Sequence, residues 1–322
     1  MSESAVGGVA PSAAAGAAPG AIAGERMAAL DARRKFQLTL GALWLLDGLL
    51  QYQPSMFSRA FPQMLTGAAK GNPKPVAAPI AWSATFIGHH LTISNGVFAT
   101  IQVALGLAIA FRPTVKPALA ASVLWSCGVW WLGEGLGGIL TGNASPLTGA
   151  PGAVVLYALL AILLWPADRD ATTFVAGRAT GRHAARAAWL AVWGSLAAFT
   201  LLPAARAPHG MSSMLTTTAQ GQPAWLAWAD SHAANAIAGH GLAASIVLAA
   251  LLIAVAVSVY LPEPVIRAAI VAAVALAVLL WLAEGIGGIF TGTGTDPNSG
   301  PLLGLLALIY WPAGRTPRES AP

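Results

Sequence analysis

The chain has 322 residues, of which 56% are hydrophobic and only 9% are charged, and its formal net charge is +5. A soluble domain carries roughly 25% charged residues, so this chain has too few of them to cover a water-facing surface of its size. The composition excludes an ordinary soluble protein and indicates that lipid covers the surface.

Residues 1–30 are predicted to form a disordered cytoplasmic tail, because Ala, Gly, Pro and Ser dominate it and bury too little apolar area to offset the entropy of ordering. A spanning helix needs about 20 mostly apolar residues. Eight hydrophobic runs follow the tail: 37–53, 86–111, 117–136, 152–165, 187–203, 236–260, 265–286 and 301–311. They predict an all-α fold, a polytopic membrane helix bundle with eight transmembrane helices. Whether the two shortest runs, 152–165 and 301–311, cross the whole bilayer is left open.

An internal repeat is the strongest feature of the sequence. A shift of 150 residues places the segment EGLGGI at 134–139 on EGIGGI at 284–289, and the register holds over most of each half. Such self-similarity indicates duplication. The predicted organisation is two tandem four-helix repeats, residues 31–168 and 187–322, joined by a basic cytoplasmic linker at 169–186.

The distribution of positive charge predicts the orientation. Thirteen Lys and Arg residues fall on one side of the predicted bundle and four on the other. By the positive-inside rule, both termini are cytoplasmic in a multi-pass protein of the plasma membrane. The basic residues lie in short loops rather than on one face, so nucleic acid is not a predicted partner. The predicted partner is the lipid bilayer, and other membrane subunits remain an alternative.

The side chains in and beside the hydrophobic runs point to a site in the outer leaflet. A carboxylate within a bilayer costs a few kcal/mol or more, which makes it a functional candidate. The two connections of about 30 residues, 54–85 and 204–235, also lie on the outer side and are long enough to be functional. The candidates for binding a ligand or ion are Asp47, His90, Glu134, His240 and Glu284.

The two repeats are not equivalent, because Leu196 stands where the first repeat has Asp47. In each repeat, glycines follow a glutamate and a proline prevents simple continuation of the helix. We expect the connections 135–151 and 285–301 to dip into the outer half of the membrane, with each glutamate at the floor of a cavity. The alternative is that the glycines pack helices and the glutamate caps a backbone amide.

The matched histidines, His90 and His240, offer two interpretations. Together they could ligate a haem or, with the glutamate pair, a divalent metal. Alternatively, each is an interfacial histidine bonded to a carboxylate or a loop carbonyl. No metal site is assigned, because one histidine per repeat is weak evidence, and the single cysteine, Cys127, excludes a multi-cysteine site. The twelve tryptophans are interpreted mostly as interfacial belt residues.

The first predicted helix, LGALWLLDGLLQ at 40–51, resembles the opening of DoxX-like membrane proteins. The glycine-rich second helix, Gly96 to Phe111, and the following Arg112 loop are also similar. The resemblance covers one four-helix repeat at a time. It implies a subunit or accessory of a quinone-linked or envelope redox process. The cofactor stays undetermined, with quinone as one candidate, and no catalytic residue is carried over from the family.

Three functions therefore remain open, and whether the protein is an enzyme is undecided. The first is a DoxX-like redox subunit that binds a quinone or small ligand at the outer leaflet. The second is a cation- or proton-coupled small-solute transporter or channel that uses Glu134 and Glu284. The third is a structural partner of other membrane proteins without an activity of its own.

Overall fold

The structure, a computed structural model, describes residues 19–168 and 174–312, and it describes side chains from residue 31 onward. Within those ranges every regular element is an α-helix or a short 3₁₀ segment, and no residue forms a β-strand. The first half contains α1 (Pro19–Gln51), α2 (Ala60–Ala69), α3 (Lys74–His89), α4 (Leu91–Ala110), α5 (Val115–Leu132) and α6 (Ala153–Leu163). The second half contains α7 (Val175–Thr180), α8 (Arg182–Thr200), α9 (Pro203–Arg206), α10 (Gly210–Ala219), α11 (Ala224–Ile237), α12 (Gly241–Ser258), α13 (Glu263–Ala283) and α14 (Ser299–Leu308).

Four helical stretches of the described chain are long and apolar enough to cross a membrane. They are Leu91–Ala110, Arg112–Leu132, Gly241–Ser258 and Glu263–Ala283, with mean hydropathies of 1.7, 1.2, 2.5 and 2.6. They correspond to α4, to α5 with the turn before it, to α12 and to α13. Helices α6 and α14 are apolar but shorter. The all-α prediction is confirmed, and these helices suggest a lipid bilayer environment.

The start of α1 differs from the predicted tail. The helix begins at Pro19, so residues 19–30 are helical where the sequence analysis expects disorder, and residues 1–18 lie outside the described ranges. The segment before residue 31 contains Ala, Glu, Arg, Met and Leu, which are good helix formers. Adding residues to an existing helix is also much easier than nucleating one, so α1 extends beyond its hydrophobic run.

Two predicted hydrophobic runs are each divided by a turn. Helix α3 ends at His89 and α4 begins at Leu91, because His90 leaves the helical region with φ −126° and ψ 36°. The equivalent break lies between α11 and α12, where Gly239 has a φ of +78°. Hydrophobic residues continue on both sides of each turn, so hydropathy alone does not reveal the break.

Helices α1 and α4 pack at close range through small residues. A Cβ on Gly106 would lie 2.6 Å from the Gly41 carbonyl oxygen, and one on Gly48 would lie 2.8 Å from the Val103 amide nitrogen. Real side chains cannot occupy that space, so only glycine allows this approach. Small residues at helix contacts are typical of membrane bundles, where close packing replaces the hydrophobic effect.

Three of the twelve tryptophans lie inside the bundle and are exceptions to the interpretation of most of them as belt residues. Trp44, Trp189 and Trp193 are at most 1% exposed. The Trp44 indole nitrogen donates to the Ser122 hydroxyl at 2.9 Å, and that of Trp189 donates to the Val255 carbonyl at 2.8 Å. An indole N–H that finds an acceptor can be buried between helices, and sequence position does not show whether an acceptor is present.

Candidate functional site

Both glycine-rich segments form a left-handed turn directly after a long helix. Residues 135–138 have φ values of 56°, 57°, 63° and 69°, and residues 285–288 have 65°, 53°, 65° and 67°. Glycine occupies three of the four positions in each turn, and the fourth is Leu136 or Ile286. A side chain in this conformation costs roughly 1–2 kcal/mol. The helix break predicted from the glycines is therefore present, and it recurs 150 residues along the chain.

Each turn brings its glutamate to the first residues of the following short helix. Glu134 Oε1 accepts a hydrogen bond from the Val154 amide at 3.2 Å, at the start of α6. Glu284 accepts from the Ser299 amide at 3.1 Å and from the Ser299 hydroxyl, at the start of α14. A negative charge at a helix N-terminus satisfies free amides and complements the helix dipole. The geometry thus matches the capping alternative of the sequence analysis.

The two glutamates differ in how completely they are paired. Both carboxylate oxygens of Glu284 accept hydrogen bonds from Ser299. Glu134 Oε2 is buried and has no hydrogen-bond partner among the described residues. It lies against Gly152, where a Cβ would overlap with it. Both oxygens of Glu284 are therefore used in capping, whereas Glu134 keeps one oxygen that has no hydrogen-bond partner in the described chain.

A cavity of about 320 Å³ lies in the first half of the chain, and Glu134 is part of its wall. Residues of all six helices α1 to α6, or residues adjoining them, contribute to the lining. Helix α2 and most of α3 belong to the connection 54–85, so this connection forms part of the cavity wall. Most of the wall is apolar. Its polar residues include Asp47, Gln51, Gln102, Glu134, Thr295 and Asp296.

Asp296 enters this cavity from the second half of the chain. Its Oδ1 accepts from the Asn298 amide at 2.6 Å, and its Oδ2 accepts from the Thr295 hydroxyl at 2.9 Å. Hydropathy does not single out Asp296, because this residue lies outside every hydrophobic run. A signal was present, however: the shift of 150 residues places Asp296 on Pro146, so an acid stands where the first repeat has a proline.

Asp47 lies on α1 and is 1% exposed. The Tyr157 hydroxyl of α6 donates to its Oδ1 at 2.7 Å, and the Tyr157 ring packs on Trp44 with the ring centroids 4.1 Å apart. These contacts hold the carboxyl group at the cavity wall. The structure therefore brings together two of the predicted site residues, Asp47 and Glu134, which belong to different helical segments and are far apart in the sequence.

The carboxyl groups that follow the spanning helices are difficult to ionise. Glu134 and Glu284 lie just past the last residues of α5 and α13, and burial raises the pKa of each to about 8. The negative charge of Asp296 is a further cause of both shifts. Burial also raises the pKa of Asp296 itself. A cation beside these groups would favour their ionised forms.

Two other cavity residues carry buried polar atoms without a hydrogen-bond partner in the described chain. They are the side-chain oxygen of Gln102, a residue that is 8% exposed, and the indole nitrogen of Trp125. An unsatisfied buried group costs about 1–3 kcal/mol, and such groups are rare in folded proteins. With Glu134 Oε2, the cavity has two free acceptors and one free donor. This pattern is typical of a site that a polar ligand or water completes.

The predicted histidine pair lies elsewhere. His90 and His240 are both exposed, and neither lines the cavity. The His90 ring packs on Phe86 with the centroids 5.0 Å apart, and His240 Nδ1 lies 3.0 Å from the Ala238 carbonyl oxygen. Among residues 19–168 and 174–312, no group of three or more His, Cys, Asp or Glu side chains is arranged to hold a metal ion. Glu284 also lies outside the cavity lining.

The fold and the site, over the part of the chain that the structure describes, define an all-helical protein with four helices that can span a bilayer and a cavity that acids from both halves line. The chain matches no protein-family model, no curated protein and no solved structure.

Proposed function

We propose that the protein is a multi-pass membrane protein that binds a cation in this cavity, as a cation- or proton-coupled transporter of a small solute. The observation that carries the proposal is the acidity of the lining, whose described residues include Asp47, Glu134 and Asp296 and no Lys, Arg or His, so that the site becomes negative wherever one of these groups ionises. A concave site of one charge sign concentrates the opposite ion. Acidic residues at membrane depth are typical of ion and proton pathways.

In this proposal eight helices span the plasma membrane as two tandem units: α1, α4, α5 and α6, then α8, α12, α13 and α14. The recurrence of helices and left-handed turns at an offset of 150 residues supports the duplication. Helices α6 and α14 have only 11 and 10 residues. The glycine-rich connection before each would dip into the outer half of the membrane and supply the missing length, as irregular backbone does where it is buried in protein.

The proposed orientation places both termini in the cytoplasm, in keeping with the excess of Lys and Arg on that side. A cluster of charges ties helices together at this end. Arg33 of α1 pairs with Asp168 at 2.5 Å, and Arg178 of α7 lies 3.6 Å from the same carboxylate. The cavity with its acids lies toward the opposite, outer end of α1 and α5.

Accessibility labelling tests this topology. In a Cys127→Ser background, single cysteines at Asn143 and Thr293, both exposed, should react with a membrane-impermeant maleimide in intact cells. A cysteine at Lys116, an exposed position in the first turn of α5, should react only after permeabilisation. Labelling of Lys116→Cys but not of the two connection variants in intact cells would reverse the orientation.

Flux measurements in proteoliposomes test the function. With an imposed inside-negative potassium diffusion potential, we expect the purified protein to acidify the lumen, as reported by a trapped pH-sensitive dye. Asp47→Asn removes the charge but keeps an acceptor for Tyr157, so it should preserve the fold and reduce the flux by at least about tenfold.

Glu263→Gln is the matched control, because Glu263 pairs with Arg267 at 2.6 Å at the other end of α13 and lies outside the cavity. It should leave the flux unchanged. The proposal fails if Asp47→Asn conducts as well as the natural sequence. It also fails if none of the proteins carries protons, sodium or an organic ammonium ion.

A DoxX-like role in a quinone-linked redox process is the second candidate, and the apolar wall of the cavity favours it. The indole N–H of Trp125, which has no acceptor among the described residues, could donate to a quinone carbonyl. Organic extraction of the purified protein, followed by absorption spectroscopy, separates the candidates. A bound quinone with quinone-dependent turnover supports the redox role, whereas cation flux without a quinone supports the transporter.

A further inference from the structure

We propose that the cavity recognises a protonated organic amine, a primary or secondary ammonium group attached to an apolar body, and that each chain binds one. The proposal rests on the cation-binding function above and specifies its ligand. Three properties of the cavity carry it: its charge, its free hydrogen-bond acceptors and its aromatic wall.

The acidic lining favours a cation, and the size of the cavity suits a molecule larger than a bare ion. A volume of about 320 Å³ is in the range of small-molecule sites. A metal ion needs about four to eight ligands in a tight shell. Within the two described ranges no cluster of three potential metal ligands exists. The acids of the cavity therefore do not form the tight ligand shell that a metal ion needs.

The unpaired acceptors call for a hydrogen-bond donor, and on an organic ammonium ion that donor is an N–H group. Gln102 is more than nine-tenths buried, lines the cavity and has an oxygen that no described residue donates to. Glu134 is a partly exposed residue that also lines the cavity, and its buried Oε2 likewise has no donor in the described chain. A quaternary ammonium ion supplies charge but no N–H group. A protonated primary or secondary amine supplies both, so it satisfies acceptors that otherwise remain buried and unpaired.

Much of the remaining wall is aromatic and aliphatic. Phe61 of α2 meets Phe98 of α4 edge to face with the centroids 6.2 Å apart, and Phe98 meets Trp125 of α5 at 5.6 Å. All three line the cavity. Aromatic faces attract cations, with Trp the strongest, and they bury apolar groups. The ligand that fits is therefore amphipathic rather than a small inorganic ion.

The second half of the chain does not repeat the site. Leu196, fully buried, stands where the first half has Asp47, and both oxygens of Glu284 are engaged by Ser299. The connection that contains Asp296 contributes to the cavity of the first half instead. The expected stoichiometry is one amine per chain despite the duplicated sequence.

Calorimetry on the detergent-purified full chain tests the proposal at pH 8. The probes are 2-phenylethylammonium, its N-trimethylated analogue, 2-phenylethanol and sodium chloride. We expect one 2-phenylethylammonium ion to bind per chain. The affinity for the trimethylated analogue should be about tenfold lower because it lacks N–H donors. We expect no saturable binding of 2-phenylethanol or sodium.

Gln102→Leu isolates the hydrogen-bonding step. It should lower the affinity for 2-phenylethylammonium about tenfold. The affinity for the trimethylated analogue should not change, because that analogue has no N–H group to donate to Gln102. Gln63→Leu, at an exposed position on α2, is the control and should change neither. An unaltered circular dichroism spectrum checks that each variant is folded.

Several results would overturn the inference: saturable sodium binding in place of the amine, equal binding of 2-phenylethanol, or two amines per chain. If protons or sodium are transported while the amine does not bind, the ligand assignment is wrong and the transport function stands. If the amine binds but no cation crosses the liposome membrane, the ligand assignment stands and transport is wrong.

Discussion

Binding of a permanent organic cation is expected to strengthen by up to about tenfold per pH unit between pH 6 and pH 8, and then to level off. The group responsible is Glu134, whose pKa burial and the charge of Asp296 raise to about 8. Below that pH the carboxyl group is neutral, and the cation must displace its proton in order to bind beside a carboxylate. One proton released per ligand corresponds to this slope.

The direction of this pH dependence follows from the groups that surround Glu134. Asp47 of α1 and Asp296 of the second half line the same cavity as Glu134. Tyr157 of α6 donates a hydrogen bond to Asp47. All of these are acids or neutral, and no Lys, Arg or His of the described chain lines the cavity. A cation therefore always favours ionisation of the site, and its affinity rises with pH.

The measurement uses the N-trimethylated amine, which does not titrate, so that any pH dependence belongs to the protein. Glu134→Gln should flatten the profile between pH 6 and pH 8. The carbonyl oxygen of the substituted amide can still accept from the Val154 amide, so the cap of α6 is retained in part. A profile that is flat for the natural sequence, or equally steep in the variant, would show that Glu134 does not titrate with binding.

The sequence predicted the local parts of this arrangement. The motif of one glutamate followed by glycines indicated a helix break, and the structure has one at residues 135–138 and again at 285–288. The same motif gave two alternatives for the glutamate, and the contact of Glu134 with Val154 is the capping one. These features depend on residues that are close in the chain, so pattern and elementary stereochemistry suffice.

The parts that the sequence did not predict depend on tertiary contacts. In the sequence Asp296 is a polar loop residue like any surface acid. The structure shows that the second glycine-rich connection brings it to the cavity of the first half. In the sequence Gln102 is a single polar residue in an apolar helix. Only the structure shows that its side-chain oxygen has no hydrogen-bond partner among the described residues. His90 and His240 have matched positions in the sequence and lie outside the cavity, because a sequence register does not show which residues are close in space.

The contribution of Asp296 across the two halves leads to the last prediction. Asp296→Asn should lower the affinity for 2-phenylethylammonium at pH 9 by about tenfold or more. The reason is that one of three carboxylates is lost from a site of low dielectric constant. Asparagine keeps an oxygen that accepts from the Asn298 amide, so the turn that positions it should persist. Calorimetry against Glu263→Gln provides the comparison with an acid outside the cavity.

The same variant has a second, independent effect. Because the charge of Asp296 helps to raise the pKa of Glu134, its removal lowers that pKa, and the midpoint of the pH profile for the trimethylated cation should move from about 8 to a lower value. Weakening at high pH together with an acid shift of the midpoint identifies a charge that acts inside the cavity. A variant that loses affinity while its midpoint stays fixed would place Asp296 outside it, and the two halves would then not share one site.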